Sequence, residues 1–83
     1  MKKLFIANIP HNSDEAELKG LIEKKGYHVE DIYFPRTPDN GFKGFGYVRF
    51  SEEKEARLAL SELNGVKLKG RSIRVDYADA RQN

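Results

Sequence analysis

The chain has 83 residues, a formal net charge of +2 and no cysteine. That length holds one small domain, and the missing thiols exclude a disulfide framework and a thiolate metal site. No apolar run approaches the roughly 20 residues that cross a bilayer, and the start turns polar by Asn8, too soon for the apolar stretch of a signal peptide.

In chain order, Lys3 to Asn8 is rich in strand formers and is closed by Asn8-Ile9-Pro10. Asn12 or Ser13 then offers an N-cap oxygen for a helix over 13–25, with Asp14, Glu15 and Glu17 in its first turn, where negative charge suits the helix dipole. Ala16, Leu18, Leu21 and Ile22 form its apolar stripe, and Gly26 stops it. Val29 to Phe34 reads as a second strand burying Val29, Ile32 and Phe34, and Pro35 ends it. Arg36 to Gly41 is dense in turn residues and reads as a loop.

Phe42 to Phe50 is the third strand. Its period-two pattern sets Lys43, Phe45, Tyr47 and Arg49 on one face and Gly44, Gly46, Val48 and Phe50 on the other. Ser51 caps a second helix over 51–63, with Ala56, Ala59, Leu60 and Leu63 inward, and Asn64-Gly65 stops it. Ser72 to Ala78 is the last strand, burying Ile73 and Val75. The order strand, helix, strand, strand, helix, strand implies an α+β, ferredoxin-like βαββαβ sandwich: a four-stranded antiparallel sheet with two helices on one face. One domain over 1–83, with its core at about 3–78, is expected.

Such a sheet leaves one face uncovered, and two readings of the third strand compete for it. In one, Phe45 and Tyr47 are core and the glycines form a surface bulge. In the other, Val48 and Phe50 face the helices, the glycines allow close helix packing, and two rings stand in solvent between Lys43 and Arg49. The first strand favours the second reading if it neighbours the third. Leu4 and Ile6 make a good inward pair, which turns Lys3, Phe5 and Ala7 outward. Burying Lys3, Lys43 and Arg49 with the rings would strand lone charges out of water, so the solvent face takes all six. Rings flanked by cations suit single-stranded nucleic acid. Each base has a π surface that stacks on an aromatic ring for about 1–3 kcal/mol, while Lys and Arg hold phosphates. The two helical segments sum to −3 and the rest of the chain to +5. If the helices share one side, the opposite side is the positive one, although a charge count alone also fits plain solvated faces.

Lys43-Gly44-Phe45-Gly46-Tyr47-Val48-Arg49-Phe50 resembles the ribonucleoprotein octamer of RNA-recognition-motif domains. Leu4-Phe5-Ile6-Ala7-Asn8-Ile9 is similar to that family's companion hexamer, and the likeness runs from about Lys3 to Ala78. The resemblance implies that Phe5 and Tyr47 stack on successive bases, that Phe45 packs on sugars or a further base, and that Lys43 pairs with phosphate. It also implies contacts from the outward residues of the edge strands, Tyr33, Arg74 and Asp76. A clamp from the loop carrying Arg36 and Asn40 is implied too, and more loosely contacts from Tyr77, Ala78, Asp79 and Arg81. The partner implied is single-stranded RNA, with single-stranded DNA tolerated where nothing reads the 2′-hydroxyl. No cofactor and no membrane are implied, and the domain is expected as a monomer in cytoplasm or nucleus.

Other signals are weaker. Gly41 to Gly46 has the wrong spacing for a phosphate-cradling loop and does not open a helix. His11 and His28 lack a ligand set or a nucleophile partner, and Asp39-Asn40-Gly41 lacks the carboxylates of a calcium loop. Asp31 and Asp76 either limit non-specific phosphate attraction or accept from base amino groups. The rival to RNA binding is a protein-interaction module on the same scaffold. The Arg-X-Phe motif of peptide-binding variants is absent after the second helix, where Leu68-Lys69-Gly70-Arg71 stands. An acylphosphatase-like hydrolase has no catalytic Arg and Asn set here, so no enzyme is expected.

Overall fold

The first apolar alternation becomes strand β1 (Lys3–Ala7) in the computed structural model, which describes residues 2–39 and 41–78. It is followed by α1 (Glu15–Lys24), β2 (Val29–Tyr33), β3 (Phe45–Phe50) and α2 (Glu53–Leu63). A short hairpin of β4 (Lys67–Leu68) and β5 (Arg71–Ser72) precedes the last strand, β6 (Arg74–Tyr77). β2, β3, β1 and β6 lie side by side in that order, all antiparallel, and the hairpin is a separate two-stranded unit. This is the expected α+β, ferredoxin-like arrangement with one unforeseen hairpin. It makes β1 and β3 the central pair.

The core lies on one side of the sheet. Leu4 and Ile6 of β1, Val48 and Phe50 of β3 and Val75 of β6 pack with Leu18 and Ile22 of α1 and Ala56, Ala59 and Leu63 of α2. Leu18 and Ile22 are four apart on one helical face. Ala16 falls outside that stripe and is exposed, against expectation. Leu60 is only half-buried at the margin of the core.

Helix starts differ from the sequence reading by a residue or two. Asp14 caps α1, its carboxylate accepting the Glu17 N–H at 2.9 Å. Ser13 is instead drawn into the interior, where its hydroxyl finds no hydrogen-bond partner among the described residues. Glu52, not Ser51, is the N-cap of α2, and it makes no side-chain capping bond. Negative charge at that end still favours the helix dipole.

β2 contains a bulge. Val29 pairs with Phe50 and Asp31 with Arg49, so Glu30 is the extra residue. Without it, Val29 and Ile32 could not both pack inward, because an unbroken strand alternates with period two. After the bulge Ile32 faces the core and Tyr33 faces away.

β3 begins at Phe45, three residues later than expected. Gly44, at φ +85°, breaks the extended chain there, a backbone region glycine enters without steric penalty. Phe42 bridges to Arg36 and stacks on Phe34, with centroids 5.0 Å apart and planes 20° apart. Gly46 serves this aromatic pair. A Cβ at position 46 would lie 2.4 Å from Phe34 Cδ1, so the missing side chain makes room for a phenyl ring of the loop after β2 and not, as expected, for a helix.

Candidate nucleic-acid interface

The face opposite the helices is set by strand parity and register. Once Leu4 and Ile6 go inward, Lys3, Phe5 and Ala7 go outward, opposite Arg49, Tyr47 and Phe45 of β3. Phe5 also lies opposite Asp76 and Ala7 opposite Arg74 on the other side of β1. Tyr33 of β2 lies opposite Tyr47. One surface therefore carries Lys3, Phe5, Phe45, Tyr47, Arg49, Tyr33, Arg74 and Asp76, as the sequence led one to expect.

Phe5, Phe45 and Tyr47 form a mutual trio outside the core. Ring centroids are 5.3 Å apart for Phe5 and Phe45, 5.6 Å for Phe5 and Tyr47, and 6.1 Å for Phe45 and Tyr47. Interplanar angles of 39°, 60° and 88° keep the rings from closing into a parallel stack, within the tilted and edge-to-face geometries aromatic pairs favour. All three are half-buried, sheltered by each other and the sheet.

Lys3 Nζ sits 4.9 Å from the Tyr47 centroid, a cation–π contact worth about 0.5–1 kcal/mol at an exposed site. A flat ligand on that ring face displaces the ammonium at small cost. Arg49 Nε pairs with Glu30 Oε1 at 3.2 Å, with both side chains more than half exposed, so the pair is weak and easily exchanged. Tyr33 is 58% exposed. On the β6 side, Arg74 and Asp76 border a depression that reaches Phe5, Ala7 and Asn64. Asp76 also accepts the Tyr77 N–H at 2.8 Å.

Several sequence-nominated residues stand elsewhere. Lys43 is exposed but precedes β3, beyond the break at Gly44, so strand alternation does not fix it beside Phe45. Arg36 leans toward α1, 3.7 Å from Glu15 and 5.5 Å from the Phe42 ring. Tyr77 lies opposite Leu4 and packs against the core, and Ala78 is buried, which removes both from the exposed face. Asn40, Asp79 and Arg81 lie outside the described residues.

Asn64, read from sequence only as a helix stop, borders the β6 depression and accepts the Val75 N–H at 3.1 Å. Asn8 similarly pins the hairpin. Its amide donates to the Ser72 carbonyl at 2.8 Å and accepts from Arg71 Nε at 2.9 Å. The only signal for either was an asparagine at an element's end. His28 is tied to Glu55 by its backbone N–H and faces it through Nδ1, while His11 meets Phe42 edge-on. Among the described residues no cluster of His, Cys, Asp or Glu could hold a metal, and no helix is long and apolar enough to cross a membrane.

With that geometry in view, the family follows. The family model for the RNA recognition motif matches residues 4–74, and the chain belongs to the RNA recognition motif family. It is 44% identical over 82 residues to small RNA-binding protein 11, chloroplastic, of Arabidopsis thaliana, covering 98% of this chain and 56% of the relative. It is 41% identical over 76 residues to nucleolin of Xenopus laevis, covering 92% of this chain and 11% of nucleolin. The chain thus spans about a tenth to just over half of these relatives. Among solved structures, the Sex-lethal RNA recognition domains 1 and 2 of Drosophila melanogaster share the fold, with a TM-score of 0.84 at 23% identity over 94% of this chain and 50% of that one. RNA-binding protein PG1 superposes with a TM-score of 0.83 at 26% identity, covering 93% of each chain.

Proposed function

We propose that this domain binds single-stranded RNA on its open sheet face, without catalysis, as a single copy. The carrying observation is the trio Phe5, Phe45 and Tyr47, gathered on the side away from the helices with Lys3 and Arg49 beside it. Family membership and the RNA-binding names of the relatives support the reading. Phe5 and Tyr47 stack on successive bases, Phe45 packs on sugar or a third base, and Lys3, Arg49 and Arg74 meet phosphates. Lys43 and Arg36 serve the rim of the path. Single-stranded DNA is accepted where no contact reads the 2′-hydroxyl. An intracellular setting fits such a ligand, and the chloroplastic relatives add organelles to cytoplasm and nucleus as settings.

The rival, a protein-interaction module using the helices, has less support. Among the described residues, Leu58 at 47% is the one large apolar side chain of either helix that stands exposed. Stacking at about 1–3 kcal/mol per base over two or three bases, less ordering costs, gives roughly micromolar affinity, which corresponds to about 8 kcal/mol with the phosphate contacts included. The test is titration of a labelled RNA pool with the intact domain and with Tyr47→Ala and Phe5→Ala. Each variant is expected to lose roughly 1–3 kcal/mol of binding while remaining folded. A folded double variant that binds as tightly as the parent refutes the stacking face.

A further inference from the structure

We propose that the depression between Tyr33 and Tyr47 is a guanine-selective pocket in which the Asp31 carboxylate accepts the base's N1–H and N2–H. This rests on the reading of the sheet face as an RNA platform, and it assigns one base identity to one place on it. The depression has a volume of about 140 Å³ and is lined by Lys3, Asp31, Tyr33, Tyr47 and Arg49. That is well below the roughly 300–1,000 Å³ of sites for drug-sized ligands and suits one flat ring system.

The β2 bulge builds this pocket. By adding Glu30 it places Asp31 opposite Arg49 and Tyr33 opposite Tyr47, so all four border one patch of the open face. The extra residue also takes the Arg49 guanidinium, at 3.2 Å. The Asp31 carboxylate is left exposed, without a hydrogen bond or ion pair among the described residues. A carboxylate in that position repels phosphate and, when ionised, can only accept hydrogen bonds, through two adjacent oxygens.

Base chemistry then selects the ligand. Guanine presents two neighbouring donors, N1–H and N2–H, on one edge, matching both oxygens. Adenine and cytosine offer an amino group beside a bare ring nitrogen, whose lone pair opposes the second oxygen. Uracil offers one N–H between two carbonyl oxygens, both repelled. Guanine also carries a carbonyl at position 6, which the donors on Lys3 and Arg49 along the same wall can meet. The aromatic walls alone would take any base, so the acid supplies the choice.

The experiment titrates the intact domain with short oligouridines carrying one central guanosine, inosine, adenosine, cytidine or uridine. Inosine lacks only the 2-amino group. The parent is expected to favour guanosine over adenosine, cytidine and uridine by roughly five- to a hundredfold, the range of a bidentate base contact, and over inosine by about tenfold or more, one charged hydrogen bond. Asp31→Asn should erase the guanosine–inosine gap and raise the plain oligouridine affinity, since the repulsion of uracil carbonyls and phosphates is relieved while stacking is untouched. Phe5→Ala, outside the pocket, should weaken every oligomer alike. Equal binding of guanosine and inosine oligomers overturns the pocket while the platform stands. So does an Asp31→Asn variant that binds every oligomer more tightly with the gap intact, because Asp31 is then only a repulsive charge. Absence of binding to all five overturns the platform and the pocket together.

Discussion

Replacing Gly46 by alanine isolates the aromatic buttress behind the candidate site. The new methyl carbon would lie 2.4 Å from Phe34 Cδ1, 2.8 Å from Cε1 and 3.0 Å from the Tyr33 carbonyl oxygen. Ordinary contact requires about 3.5–4.0 Å, so the ring must retreat by roughly 1 Å. It has little room to do so, being 1% exposed and backed by the stacked Phe42 ring. Overpacking of this kind costs about 1–3 kcal/mol. Alanine recovers roughly 0.5–1 kcal/mol through lower chain entropy in the unfolded state, so the clash must outweigh that gain. A net loss of about 0.5–2 kcal/mol lowers Tm by roughly 2–15 °C in a domain of this size. Thermal unfolding followed by circular dichroism reads the change directly. Phe34→Leu in the Gly46→Ala background should cost less than the two single losses added, because the smaller side chain vacates the contested space. A Gly46→Ala protein that melts with the parent, or a strictly additive double variant, refutes the account.

Glu30→Gln releases Arg49 and removes an acid from the rim of the face. Oligouridine affinity should rise a few-fold, because Arg49 no longer exchanges an ion pair for its phosphate contact; an unchanged affinity takes Arg49 out of that role. Leu63→Ala should destabilise the fold by about 2–5 kcal/mol, because that side chain is fully buried, while Leu58→Ala at its exposed site should stay within about 0.5 kcal/mol. Equal losses by denaturant titration would mean the α2 stripe is misassigned. Glu55 accepts the His28 backbone N–H at 2.6 Å and faces Nδ1 at 3.1 Å. The backbone bond first, and then the ring, hold its carboxyl below the ordinary range. Its folded-state pKa being the lower one, the stabilisation is full above the unfolded value and is lost as pH falls through the folded value. The Tm gap between the parent and Glu55→Gln should therefore close on acidification, and a gap constant from neutral to acid pH would contradict the linkage.

The central strands were legible in the sequence because two constraints coincide there. Period two and the impossibility of burying Lys3 and Arg49 with the rings allow one parity only, and the register Phe5 opposite Tyr47 follows. Elsewhere the local code is degenerate. Asn12, Ser13 and Asp14 can each cap a helix, and which one does so depends on Ser13 being drawn into the interior, a tertiary fact. The β4–β5 hairpin has two residues per strand, too few for any periodic signal. Lys43 was placed on the face by alternation that runs unbroken in the sequence and stops in the structure at Gly44. The bulge at Glu30 left one trace, the spacing of three between Val29 and Ile32, which no regular strand accommodates.

The distribution of charge shows what the face relies on. The surplus of +5 outside the helices suggested a positive side, yet much of it is engaged away from the rings. Lys69 reaches Glu17 and the Asn12 carbonyl, Arg71 is held by Asn8, and Arg36 leans on Glu15. On the open face Lys3, Arg49 and Arg74 are matched against Asp31 and Asp76, with Glu30 on Arg49. Nearly balanced charge gives little general attraction for a polyanion, since that attraction scales with the phosphates neutralised. Three clustered rings form an apolar patch on that face, and stacking of bases on such rings would not depend on salt in the same way. Stacking therefore carries most of the affinity proposed for this domain. On the proposed reading, the mixed charges around the rings set where the backbone runs and which base edge is accepted.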